Sequence, residues 1–145
     1  MSRVGHNLSS ILPAWLCTYP SLSFPHAVPS QIVDSPDNLM VVEPEDATFS
    51  CLATGRPRPT IAWFRLSSFT LLQPSSGSFS IVEQEIGERG RRSNLSIIGT
   101  QPFDAGGYGC VAVNEPGTTT EQATLVVHGK LTKDIVPILA NKCFW

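Results

Sequence analysis

Apolar residues recur at every second position through the middle of the chain. Leu39 and Val41 share one parity, Glu43-Pro44-Glu45-Asp46 makes a turn, and Ala47, Phe49 and Cys51 resume the alternation against Thr48, Ser50 and Leu52. A period of two sends successive side chains to opposite faces of a strand, so each such run predicts a half-buried strand. The pattern returns in Ile61 and Trp63, Phe79 and Ile81, Leu95 and Ile97, then Tyr108, Cys110 and Ala112, and last Ala123, Leu125 and Val127. Leu71-Leu72 reads as a short edge strand before the turn at Pro74 to Gly77. The other breaks are Gly55-Arg56-Pro57-Arg58-Pro59, the charged turn Gly87 to Arg92, and Asn114-Glu115-Pro116-Gly117. Prolines in the first of these withhold the N–H groups a ladder needs. Strands about ten residues apart, with no helical period, predict an all-β antiparallel sandwich. One hairpin of this size cannot bury its own face, so two sheets must stack.

Outside this region the period is lost. Residues 1–34 carry Pro13, Pro20, Pro25 and Pro29 and read as a leader or linker, either a signal peptide or an unstructured segment. Residues 35–128 form the patterned domain, and 129–145 an irregular C-terminal tail. No internal repeat is visible, which predicts one domain. No apolar run approaches the roughly 20 residues that a membrane-spanning helix needs.

The 145 residues are 41% hydrophobic and 15% charged, with a net charge of −2. Such a weak field argues against a nucleic-acid partner. The 12 prolines and 11 glycines suit a turn-rich fold of short strands. Four cysteines allow three pairings. Cys51 and Cys110 lie in patterned strands, whereas Cys17 and Cys143 lie in the flanks.

Read together, the spacings are more specific than any one of them. Leu39-x-Val41-x-Glu43 is followed by Ala47-x-Phe49-x-Cys51-x-Ala53-Thr54-Gly55, then Pro57-x-Pro59-x-Ile61-x-Trp63 and Leu95-x-Ile97. Asp104-x-Gly106-x-Tyr108-x-Cys110-x-Ala112-x-Asn114-x-x-Gly117 completes the series. This pattern resembles the intermediate (I-set) branch of the immunoglobulin superfamily, over roughly two thirds of the chain. The resemblance implies a two-sheet Greek-key sandwich with an inter-sheet Cys51–Cys110 disulfide. It also implies a core built on Trp63, Leu95 and Ile97, with Tyr108 as the tyrosine-corner residue beside Asp104. A bridge points to an oxidising compartment; two buried free thiols would instead fit a cytosolic or sarcomeric relative. Two positions depart from the pattern. Pro44 fills a turn position usually held by glycine, where a type I turn with proline second would serve. Gly77-Ser78-Phe79-Ser80 lacks the basic residue that commonly pairs with the acidic residue at Asp104, which is expected to accept backbone N–H bonds instead.

By this resemblance the function is non-catalytic. The chain is expected to be a recognition module of an extracellular or cell-surface adhesion or receptor protein, secreted or part of a larger membrane protein. Its partner would be another protein, homophilic pairing included. The alternative is an intracellular structural module of a muscle or cytoskeletal protein.

Motifs for other chemistry are weak. Gly107-x-Gly109-x-x-Ala112 has the form of a dinucleotide fingerprint but lies inside a strand, without the helix whose N-terminus would hold a pyrophosphate. His6, His26 and His128 make no catalytic or metal-ligand spacing, and no cofactor is expected. Arg89, Arg91 and Arg92, with Arg56 and Arg58, are diluted by Glu83, Glu85 and Glu88 and read as a solvated charged turn. Asn94-Leu95-Ser96 and Asn7-Leu8-Ser9 are glycosylation sequons, and Asn94 should face outward because Leu95 faces inward. On the sheet holding Trp63 and Cys110, the outward parity carries Ala62, Phe64, Val111, Val113 and Val126 beside Gly109. That apolar set is the candidate partner interface, with Phe64 its anchor.

Overall fold

The computed structural model describes residues 26–74 and 77–130. Nine strands follow in order: β1 Val28–Asp34, β2 Leu39–Val42, β3 Ala47–Arg56, β4 Thr60–Arg65, β5 Thr70–Leu71, β6 Phe79–Ile86, β7 Gly90–Ile97, β8 Gly106–Asn114 and β9 Gly117–His128. A 3₁₀ turn at Pro102–Asp104 links β7 to β8. Strands β1-β3-β7-β6 form a four-stranded sheet and β2-β9-β8-β4-β5 a five-stranded one. The chain changes sheet after β1, β2, β3, β5 and β7, and the crossings from β3 to β4 and from β7 to β8 make the sandwich a Greek key.

The core lies where the alternation places it. Phe49, Cys51 and Ala53 of β3 and Leu95 and Ile97 of β7 meet Trp63 of β4, Tyr108, Cys110 and Ala112 of β8, and Leu125 of β9. The Phe49 ring stands between the other two large aromatics, 6.2 Å from Trp63 and 5.3 Å from Tyr108 between centroids. Tilted contacts at these distances add to simple area burial.

Four features differ from the sequence reading. First, β1 lies within the stretch read as leader. It pairs with β3 through Gln31↔Thr54 and Ile32↔Ala53, with irregular register on either side. Its buried residue is Ser30, whose hydroxyl lies 2.8 Å from Ala112 O and 2.9 Å from Gly117 O. A polar inward residue and Pro29 hide the period of two. Second, β2 runs parallel to β9, pairing Leu39↔Leu125 through Val42↔His128, so the five-stranded sheet is mixed. Third, the turn after β2 is closed by the Glu45 N–H donating to Val42 O at 2.8 Å, with a cis Glu43–Pro44 bond inside it. Pro44 is therefore third in that turn, not second as a type I turn requires. The edge strand β5 also begins one residue earlier than Leu71, and Leu72 packs against the core.

Candidate recognition surface

The scaffold under the surface is pinned at two points. Cys51 and Cys110 form a disulfide between the sheets. Trp63 lies beside it, opposite Cys110 in the β4–β8 register, and its indole Nε1–H donates to Ser93 Oγ at 3.0 Å. Both ends of that hydrogen bond are fully buried, so the tryptophan is satisfied as well as packed.

The second pin is Tyr108. Its hydroxyl donates to the Asp104 carbonyl at 2.7 Å, while the Asp104 carboxylate accepts the Gln101 N–H at 2.9 Å. No basic residue stands in 77–80, but Arg65 brings a cation from β4. Its guanidinium lies 5.8 Å from the Tyr108 ring centroid and donates to the carbonyls of Phe103 and Ala105. The sequence reading missed Arg65, which extends the Ile61/Trp63 parity and sits opposite Tyr108 in register. Burial raises the Tyr108 pKa, opposed by Arg65 and assisted by Asp104. The folded state thus prefers the neutral phenol. Its contribution to stability is complete below the unfolded value near 10 and is lost as pH rises through the folded value. Tyr108→Phe leaves the Asp104 carbonyl without its donor and should cost about 1–2 kcal/mol at neutral pH. Denaturation series at neutral and alkaline pH should show that penalty, and a shallower alkaline loss in the variant than in the wild type.

Asn114 is a further clamp that the turn assignment concealed. Its Oδ1 accepts the Ser30 N–H at 2.9 Å, and its Nδ2 donates to Val28 O at 2.8 Å and Pro57 O at 2.9 Å. It ties β1 and the β3–β4 loop to the end of β8.

The outward face of the five-stranded sheet is set out in rows. Register aligns Thr60–Val113–Thr118, Ala62–Val111–Thr120 and Phe64–Gly109–Gln122, and Leu71 lengthens the third row. A Cβ on Gly109 would stand 2.2 Å from the Phe64 ring, so the ring lies across that glycine. Leu66 likewise covers Gly107, where a Cβ would fall 2.3 Å from its side chain. The two glycines that imitate a dinucleotide fingerprint are seats for apolar side chains of the neighbouring strand and turn. Phe64, Val111 and Val113 are brought together, but Val126 is not among them. It pairs with Met40 of β2, eight residues along β9 from the Thr118 that faces Val113. At about 3.3 Å per residue that is roughly 26 Å, with Thr120, Gln122 and Thr124 between. Alternation reports the face of a residue but not its row.

No outward position on β4, on β8 or from Thr118 to Val126 of β9 carries a formal charge. The charges lie elsewhere. Arg91 pairs with Glu83 at 3.0 Å, Arg58 with Glu85 at 2.5 Å and Arg92 with Asp34 at 3.1 Å. His26 and His128 are exposed. Among the described residues no group of three His, Cys, Asp or Glu is placed to hold a metal ion.

A family model described as immunoglobulin domain matches residues 29–114, from β1 to the end of β8. This chain belongs to the immunoglobulin domain family. It is similar to the netrin receptor DCC of Rattus norvegicus, 32% identical over 127 residues that cover 81% of this chain and 8% of the receptor. It is also similar to Roundabout homolog 3 of Homo sapiens, 32% identical over 117 residues, covering 77% of this chain and 8% of that protein. The chain therefore spans under a tenth of the length of these relatives. Among solved structures, the titin domains z1z2 in complex with telethonin match with a TM-score of 0.62 at 26% identity, over 73% of this chain and 50% of that one. In this immunoglobulin domain Asn94 stands on the outer face of the four-stranded sheet, between Ser50 and Val82. Cys17, Cys143, Asn7, Trp15 and Trp145 lie outside the described residues.

Proposed function

We propose that this immunoglobulin domain is a non-catalytic protein-recognition module of a cell-surface or secreted adhesion or receptor protein. Its docking face is the outer side of the five-stranded sheet around Phe64 and Val111. The observation that carries the reading is the uncharged outer face, with the Phe64 ring filling the space over Gly109 at its centre. Interface cores are depleted of charged residues and enriched in aromatic ones, and their strongest contacts sit near the centre. The partner is another protein, a second copy of the domain included. The disulfide and the similarity to a netrin receptor support an oxidising, extracytoplasmic setting. Beyond β4 the five-stranded sheet adds one two-residue strand, β5, where the variable arrangement adds two strands and the constant one none, which supports an intermediate-type domain. A second reading, an intracellular structural module, is favoured by the likeness to titin domains.

Val111→Glu tests the docking face. In the free domain the carboxylate projects into water and should shift stability by less than about 1 kcal/mol. Under a partner it would be buried unpaired, at a cost on the order of 3 kcal/mol, or more than a hundredfold in affinity. Phe64→Glu would also uncover Gly109 and is the less clean probe. Val126→Glu, six residues along β9 from the Thr120 that faces Val111 and so about 20 Å away at the spacing of a strand, is the internal control. With a partner found by a cell-surface interaction screen, titrations of the full chain should show loss for Val111→Glu and near wild-type affinity for Val126→Glu. Undiminished binding by a folded Val111→Glu chain would remove the site from this face.

A further inference from the structure

We infer that Asn94 is an N-glycan attachment site and that its glycan covers the outer face of the four-stranded sheet. The inference rests on the extracytoplasmic setting proposed above. Asn94-Leu95-Ser96 is an Asn-x-Ser sequon in the second half of β7. Ser93 and Leu95 on either side are fully buried, so the alternation turns Asn94 outward, in a row with Ser50 of β3 and Val82 of β6. The carboxamide is set with its oxygen inward: Oδ1 is buried and has no hydrogen-bond partner. The nitrogen Nδ2, the atom a glycan joins, donates to no group among the described residues and reaches solvent. Nothing in the fold holds the atom that must react. Ser96, the hydroxyl of the sequon, lies on the same face with its Oγ 2.9 Å from Thr48 Oγ1.

The neighbouring surface gives the glycan something to cover. Val82 is directly opposite Asn94 in register and 61% exposed, on an edge strand whose outer side has no partner among the described residues. A long edge with an exposed apolar side chain invites strand-to-strand association, which natural proteins suppress by covering it. An oligosaccharide rooted one strand inward would shield that edge and leave the opposite, uncharged face open. The transfer balances simply. With a polyprenyl-diphosphate-linked oligosaccharide as donor, a bond forms between Nδ2 and the sugar C1. The C1–O bond to the diphosphate breaks, its electron pair leaves with the diphosphate, and one Nδ2 proton passes to a base of the transferase.

The full chain, led by an efficient cleavable signal sequence, is translated with endoplasmic-reticulum microsomes, and protease-protected product is compared before and after peptide-N-glycosidase. A glycosidase-sensitive shift should persist in Asn7→Gln, vanish in Asn94→Gln and in Ser96→Ala, and return in Ser96→Thr. Protected chain without an Asn94-dependent shift overturns the inference, whatever happens at Asn7. Because the added signal enforces translocation, that result is independent of the setting itself, which the thiol state of Cys51 and Cys110 in the producing cells reports separately.

Discussion

Trp63→Ala is expected to lower the free energy of unfolding by about 3–5 kcal/mol. The indole is fully buried, stands 6.2 Å from the Phe49 ring, and lies opposite Cys110 in register. Removing it opens a cavity between the sheets that surrounding strands, held by ladder bonds on both sides, can collapse into only in part. It also strands the Ser93 hydroxyl, which receives the indole N–H at 3.0 Å in a site without water access. Trp63→Phe separates the two effects: most of the apolar volume stays and the hydrogen bond goes, so its loss should be the smaller. Domains of this size are stable by only about 5–15 kcal/mol, so the alanine change removes a large share. Urea titrations of the three chains give the comparison, and a Trp63→Ala midpoint within error of wild type would refute the packing assignment.

Removing the disulfide should have an effect of similar size by a different route. The bridge joins residues 59 apart, and the chain-entropy relation assigns about 4 kcal/mol to a closed loop of that length. Most of that stabilisation acts on the unfolded chain, whereas the tryptophan acts on the folded one. The paired change Cys51→Ala with Cys110→Ala should therefore lower the denaturation midpoint markedly, and reduction of the wild type should approach the same value. Because Trp63 and the bridge are adjacent, combining both changes should give less than their sum. A double-alanine chain as stable as the oxidised wild type would contradict this.

The inward residues could be read from the sequence because a strand with one buried face writes its contacts as alternation. Phe49, Trp63, Leu95, Ile97, Tyr108 and Cys110 all lie where their parity points. Strand β1 left no such trace. Its inward position is Ser30, satisfied by the Ala112 and Gly117 carbonyls, and its pairing with β3 is irregular. The parallel pairing of β2 with β9 was equally hidden, since four residues alternate alike in either direction. Parity also fails to place residues along a sheet, which is why Val126 joined Phe64 and Val111 in the sequence reading but not in space. Arg65 and Asn114 act through carbonyls of distant strands, and no local pattern records a tertiary acceptor. The seat of Phe64 on Gly109 shows in the sequence only as a glycine within a strand, a known mark of close approach that does not say what approaches.

The most direct test of an extracytoplasmic recognition module is the oxidation state of Cys51 and Cys110 in the cells that make this chain. Acid quenching, alkylation of free thiols and non-reducing peptide mapping report it without purification under oxidising conditions. The predicted result is a Cys51–Cys110 cross-linked peptide pair with neither cysteine alkylated. Full alkylation of both in a folded chain would contradict that setting and favour the intracellular structural module.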